Sequence, residues 1–380
     1  MLGLHRVSGC RAVVLAAVLS AALPSSGWTW SGDVHHYIAQ SYSRHLPAYI
    51  DGLRAYDSVV DLHVTDPDTR RGSTPGEGER HYIDIDAYPE FFSGTLPHDR
   101  AALEAKYGAS VVFSNGVIPW ATGELVSALS QQFRTQQWSA AALTIADLCH
   151  YVGDAEQPLH CTENFDGQQT GDYGIHSRYE SEMMSTHIGD LQTSPAEVVY
   201  YPSAVDAMFG VVDSSWAGVA TIIQADFDAQ DLSRGYFNAT YFAALWSATQ
   251  TLTRTRIDAA TQVTASLVYS AWTDAGRPTV PGSSEPVPPL PGGDGALLAA
   301  GPSPFRDVLT VRFAGAGPLS VEVFDVRGAR VARLVEGASG GGSVSWRPAD
   351  SGRSPGPGLY FVRLSGPGLN RVRRVSRLGS

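Results

Sequence analysis

At 380 residues the chain is long enough for two domains, one of them with a sizeable core. Its formal net charge of −11 is uneven: from residue 297 on, twelve arginines face five acidic residues (+7), which leaves −18 for the rest. An acidic main body is a poor match for long nucleic-acid duplexes unless bound cations reverse the local field, and it suits a site holding several metal ions.

The chain opens as a secretory signal would. Arg6 and Arg11 supply basic charge, residues 12–23 form an apolar run, and Pro24, Ser25, Ser26 and Gly27 supply small residues before a cleavage point. That run is too short to span a bilayer, which needs about 18 apolar residues or more, and no later run reaches that length. An exported protein, secreted or attached to the cell surface, is expected. Of three cysteines, Cys10 leaves with the signal, so Cys149 and Cys161 remain, each beside a candidate ligand histidine. They lack the C-x-x-C spacing of a thiolate zinc site, and either pair in an oxidising compartment or pack as small buried residues.

After the signal, Trp28 and Trp30 precede a helical pattern beginning at His35, with Ile38, Ala39 and Tyr42 on one side. Adjacent helical residues diverge by roughly 100°, so only one of His35 and His36 can point into a site. Residues 64–82 read as a polar Gly/Pro-containing loop with Asp66, Asp68, Arg70 and Arg71, ending at His81 and the run Tyr-Ile-Asp-Ile-Asp. On its own this loop reads as a charged surface segment in which the arginines pair with the aspartates. Residues 101–130 and 140–152 have helical periodicity, as does 200–275, within which 237–266 forms one long helical region. The first domain is therefore mainly α.

Residues 276–296 form a Pro/Gly-rich linker. Beyond it the hydrophobic period changes from helical to alternating, in the runs 308–313, 320–326, 343–346 and 359–364, separated by turn residues. A small all-β Ig-like sandwich over 297–380 is expected, with no cluster of histidines or paired acids and hence no chemistry of its own.

The stretch 150–180 concentrates the chemistry. His150 and Asp154 are four apart and leave one face of a helix together. Pro158 ends that helix and presents His160 from another direction, and His176 and Glu180 repeat the four-residue spacing. Histidine and carboxylate ligands in that pattern suit zinc, and further ligands must come from earlier segments. In chain order the candidates are Trp30, His35, Asp68, His81, His150, Asp154, His160, His176 and Glu180. The other histidines (His36, His45, His63, His98 and His187) read as structural or exposed.

This set resembles the three-zinc phosphodiesterase superfamily, which comprises bacterial zinc-dependent phospholipases C and single-strand zinc nucleases. The matching motifs are W-x4-H (Trp30, His35), an Asp about a dozen residues before the His of HYIDID (His81), H-x3-D-x5-H (His150, Asp154, His160) and H-x3-[ED] (His176, Glu180), and they cover most of residues 28–275. The resemblance implies three Zn²⁺. Asp68, His81, His150 and Asp154 would hold the first, and Asp154 would bridge to a second held by His35 and the main-chain groups of Trp30. His160, His176 and Glu180 would hold the third. It further implies phosphoester hydrolysis by a metal-activated water, with Asp68 as the catalytic carboxylate that orients the nucleophile or accepts its proton. Asp66 competes with Asp68 for this place, and the Asp followed closely by Arg favours Asp68. A ligand role for Trp30 needs cleavage after Thr29, whereas the signal favours cleavage after Gly27 and Trp28 as the first residue.

Glu180 in HSRYE resembles the phospholipase C branch, so a secreted phospholipase C-type enzyme acting on phospholipid at a membrane surface is the leading expectation. The first alternative is a single-strand nuclease, with Tyr82, Tyr88, Phe91, Phe92 and Trp120 available to stack bases or else to fill the core. The second is a non-catalytic, zinc-stabilised surface protein. The tail, with SPFRDVLTVRF, VEVFDVRGARVARL and GLYFVRL, resembles Ig-like C-terminal sorting domains of type IX secretion and hook-cap-like modules, which implies contact with a secretion machinery. A monomer is expected.

Overall fold

The computed structural model describes residues 30–288, 297–315, 317–348, 355–367 and 369–378. The signal peptide at 1–27, with the choice between Trp28 and Trp30 as the mature N-terminus, lies outside the described residues. The helical part runs in order through α1 (Gly32–Ser41), α2 (Asp57–His63), α3 (Asp66–Arg71), α4 (Pro89–Phe92), α5 (Arg100–Tyr107), α6 (Ala109–Ser114) and α7 (Ile118–Arg134). It continues with α8 (Trp138–Ala155), α9 (Ile175–Ser177), α10 (Met184–His187), α11 (Ala204–Trp216), α12 (Val219–Ser233) and α13 (Ala239–Asp274). Among the described residues seven strands come after it, β1 (Leu297–Gly301), β2 (Leu309–Ala314), β3 (Pro318–Asp325), β4 (Arg330–Ser339), β5 (Gly342–Trp346), β6 (Gly358–Gly366) and β7 (Leu369–Arg377). The fold class is the expected one, a helical domain followed by an all-β domain.

Helix α8 is buried almost all round, from Ala141 through Ala155 apart from Leu143 and the partly covered Asp147. A helix apolar on every side belongs at the centre of a domain, and α1, α2, α7, α11 and α13 all pack against it. The few polar residues of its last two turns, His150 and Asp154, are therefore delivered into the middle of the protein.

Helix α13 forms the spine along one side. Asn238 caps its start by accepting from the backbone N–H groups of Thr240 (2.9 Å) and Tyr241 (3.2 Å). Its end is closed by Gly276 at φ +91° and an Arg277 N–H bond to the Trp272 carbonyl at 3.0 Å, with Pro278 next.

Two segments depart from the periodicity reading. The helix expected over 101–130 is three helices, because Gly108 (φ +89°) and Gly116 (φ +87°) adopt left-handed backbone that continues no right-handed helix. The expected loop at 64–82 contains α3, started by Pro67 in its first turn, where a missing N–H costs nothing.

The first half of the linker lies on the helical domain. Val280 is buried, the Trp272 indole donates to the Pro278 carbonyl at 2.8 Å, and Ser284 donates to Asp51 through both its backbone N–H and its hydroxyl. In the all-β domain, antiparallel sheets β1-β2-β5 and β4-β3-β6-β7 enclose Phe305, Leu309, Val311, Leu319, Val321, Trp346, Val362 and Leu364. The burial along β2 alternates as a strand with one covered face requires. Arg312 on β2 crosses to the helical domain, pairing with Asp274 and reaching the hydroxyl of Tyr200.

Candidate metal centre

Asp154 projects from the last turn of α8 with both carboxylate oxygens enclosed. Its Oδ2 lies 2.9 Å from His81 Nδ1 and 3.3 Å from His150 Nε2, and its Oδ1 faces His35 Nε2 at 3.4 Å. Asp68, from α3, brings Oδ1 to 3.7 Å from His150 Nε2 and 4.0 Å from His81 Nδ1. In the other cluster, His160 Nε2, His176 Nε2 and Glu180 Oε2 stand 3.0–3.4 Å apart. Four ligands at tetrahedral corners around zinc, with bonds of 2.0–2.1 Å, lie about 3.4 Å from each other. The donor atoms are thus spaced as the corners of metal polyhedra.

Among the described residues three groups of converging donors result: His35 with His150 and Asp154, Asp68 with His81 and His150, and His160 with His176 and Glu180. Their far sides are held by hydrogen bonds that set the tautomers. The Nδ1–H groups of His150, His160 and His176 donate to the carbonyls of Val64 (2.8 Å), His81 (2.9 Å) and Phe165 (3.1 Å), leaving each Nε2 lone pair facing inward. His81 is the exception and offers Nδ1. His35 stacks on His150 with ring centroids 3.9 Å apart.

Burial keeps these imidazoles neutral, lowering His35 to about 3 and His176 to about 4, with His81, His150 and His160 also lowered. The same burial, with Asp68 nearby, pushes the Asp154 carboxyl well above its usual range, and burial raises Glu180 against the opposing pull of His160. Neutral imidazoles around carboxyls whose burial outweighs the pull of the Arg71 guanidinium make a donor set fitted to divalent cations, whose charge reverses that carboxyl balance. A direct sign of the fit is that both ring nitrogens of His35 and Oδ1 of Asp154 have no hydrogen-bond partner among the described residues. The donors are nitrogen and oxygen only; Cys149 and Cys161 are buried free thiols outside the clusters.

The remaining expected ligand, Trp30, is buried with its ring 5.7 Å from Tyr179, and its main-chain role depends on residues outside those described. Asp66 bonds His63 at 2.8 Å instead of entering the site. His36, His98 and His187 pair with Asp61, Asp206 and Asp190, and His45 bonds Thr261.

Two of the clusters, one through His81 and the other through His160 and His176, reach a cavity of about 190 Å³ lined also by Arg71, Tyr82, Asp84, Leu159 and Phe165. Of the aromatic residues expected as stacking platforms, Tyr82 reaches this wall, while Tyr88 and Trp120 are buried and Phe91 and Phe92 pack on Trp216. Arg71, Asp84 and Phe165 were not among the expected site residues. Nor was Gln157, whose Oε1 accepts from the Leu159 N–H at 2.6 Å so that its amide donates to Glu180 at 3.1 Å. Its signal was present in the QPLH segment.

No protein-family model and no curated protein sequence matches the chain. Among solved structures it is similar to the alpha-toxin of Clostridium perfringens from avian strain SWCP, at 11% identity and a TM-score of 0.42, over 92% of this chain and 98% of that one. It is also similar to the alpha toxin of Clostridium absonum, at 12% identity and a TM-score of 0.38, over 94% and 98% of the two chains. The donor geometry, not this likeness, carries the functional reading.

Proposed function

We propose that the protein is a secreted zinc-dependent phosphodiesterase of phospholipase C type, with the three donor clusters as its metal sites. One observation carries the reading: Asp154 turns one oxygen to His81 and His150 and the other to His35. A buried carboxylate shared in this way fits two neighbouring cations, the arrangement suited to phosphoester cleavage.

Zinc held there supplies Lewis acidity and a water acidic enough to act as a nucleophile near neutral pH. The chain's own residues do the rest. Arg71, in the cavity wall, offsets the negative charge of a phosphodiester entering beside His160 and His176. Asp68 is part exposed where its fellow ligands are buried, and lies 3.8 Å from Arg71, so it is placed to accept a proton at the cavity edge. Leu159, Phe165 and Tyr82 give the wall an apolar side, and Asp84 adds a carboxyl to it. The all-β tail is assigned to export or surface attachment, with no part in the chemistry.

A single-strand nuclease is the second reading, favoured by the Tyr82 and Phe165 rings in that wall. Zinc-loaded protein is assayed on phosphatidylcholine vesicles, on single-stranded DNA and RNA, and on bis-p-nitrophenyl phosphate. Release of phosphocholine, abolished by chelation and by His150→Ala, supports the phospholipase; nucleotide release without lipid turnover selects the nuclease. Full zinc loading with none of the three hydrolysed leaves a zinc-stabilised surface protein.

A further inference from the structure

Between His176 and Glu180 lies Arg178, a residue that touches no donor cluster and yet is almost wholly enclosed. Its guanidinium forks onto Asp226 of α12, with Nε 3.2 Å from Oδ1 and Nη2 2.8 Å from Oδ2, and Nε also donates to the Tyr241 hydroxyl of α13 at 2.9 Å. Nη1 donates to the Tyr173 carbonyl at 2.7 Å and Nη2 to the Asp172 carbonyl at 3.1 Å. The plane is covered by Phe237, whose ring centroid is 4.2 Å away. The Tyr241 hydroxyl in turn donates to Asp226, so the group is closed on itself.

Two features tie this group to the His160–His176–Glu180 cluster. The carbonyls it holds belong to the loop leading directly into His176, and Gly174 in that loop sits at φ +85°, where a Cβ would come within 2.7 Å of Nη1. The backbone from Arg178 to Met183 is a π-helical turn, a wider and less favourable winding that carries Glu180. Such a turn persists only where tertiary contacts hold it. The guanidinium grips the chain before His176 and anchors the start of the turn before Glu180 to two neighbouring helices. His160 approaches from the opposite side, on the segment after α8, tied to the His81 carbonyl.

We propose that Arg178 is the positioning residue of this cluster, its five-donor fork fixing His176 and Glu180 against His160 so that the three bind one zinc ion. The inference rests on the reading of the clusters as zinc sites. Lysine keeps the charge but has neither the planar fork nor the reach for both Asp226 oxygens and two carbonyls.

The test uses the full-length protein, with zinc counted per chain after dialysis against zinc-buffered solution. Arg178→Lys is expected to bind the zinc of this cluster about 10–100-fold less tightly, the scale of loss when the surroundings that orient metal-binding side chains are disturbed, while the other zinc ions and the far-UV helical signal are retained. His160→Ala should lose the same zinc, and the double variant should lose no more than either alone. Asp226→Asn, which keeps the shape and removes the charge, decides the question if Arg178→Lys does not fold, and is expected to show the same selective loss. Unchanged zinc affinity in the variants overturns the inference, and so does loss of all zinc together with helical signal, which would make Arg178 a structural residue only. A wild-type protein that binds no zinc overturns the proposed function along with it, whereas wild-type binding matched by both variants overturns this inference alone.

Discussion

Asp154 stands fully buried with Oδ1 toward His35 and Oδ2 toward His81 and His150, so its two oxygens reach donors of two neighbouring groups, while Glu180 reaches only His160 and His176 among the described donor residues. Replacing a shared ligand therefore has a larger effect than replacing an unshared one. Asp154→Asn is expected to lower bound zinc by about two ions per chain, and Glu180→Gln by about one, as read by metal counting on folded protein. Equal losses in the two variants would contradict the shared role. A second residue-scale prediction concerns Asp84, in the cavity wall. Burial, with Asp86 and Glu163 close by, raises its carboxyl to about 7. It is neutral below that value and anionic above it, so an anionic phosphodiester meets a new repulsion as pH rises through about 7. The KM for bis-p-nitrophenyl phosphate should climb across that pH range, and in Asp84→Asn that step should be absent. A step of the same size in the variant would assign it to another group.

At the scale of elements, the site depends on how closely α1 approaches α8. Gly153, between the two α8 ligands, is the point of contact: a Cβ there would stand 2.9 Å from Ile38 Cδ1 and 3.1 Å from His35 Nδ1. Gly153→Ala therefore presses on the Ile38 side chain and the His35 ring in a packed interior. Overpacking of this kind costs about 1–3 kcal/mol, and for a domain of this size each kcal/mol lowers Tm by about 2–4 °C. The expected result is a Tm lower by a few degrees together with weakened binding of the zinc nearest His35. A variant that is as stable as wild type and fully loaded would show that the helices have room to spare. The π-helical turn is the corresponding feature on the other side of the site, where a local winding is held by contacts from α12 and α13.

At the scale of the molecule, the two domains divide the charge. The acidic helical domain houses the donor clusters and the all-β domain is net positive, and one of its arginines, Arg312, crosses to Asp274. Because every donor cluster among the described residues and the whole cavity wall lie before residue 181, and the chain up to residue 288 packs on the helical domain, a truncation after residue 288 should fold alone. Its zinc content and its turnover of bis-p-nitrophenyl phosphate should equal those of the full chain, while export or surface attachment should fail in cells. A folded truncation without activity would show that the all-β domain takes part in the chemistry.

How far the sequence reaches depends on how local each signal is. His150 with Asp154 and His176 with Glu180 are legible because the helical period places residues four apart on one face. The change from helical to alternating periodicity near residue 297 is legible for the same reason, and so are the two domains. A choice such as Asp68 over Asp66 depends on which side chain faces α8 and which is held by His63, and no spacing within the loop records that. The breaks at Gly108 and Gly116 inside a helical pattern, and the free state of Cys149 and Cys161, likewise depend on where the flanking segments pack. Arg178 shows the limit most plainly. By sequence it is one polar residue between two ligands, and its partners come from residues 172, 173, 226 and 241. The sequence alone determined the types of candidate donor, their pairing at helical spacing and the order of the helical and all-β parts, because these are set by residues a few positions apart. Only the tertiary structure decided which donors share a site, which tautomer each histidine presents and what holds the third cluster together, because burial and hydrogen bonding bring those groups together from segments far apart in the chain.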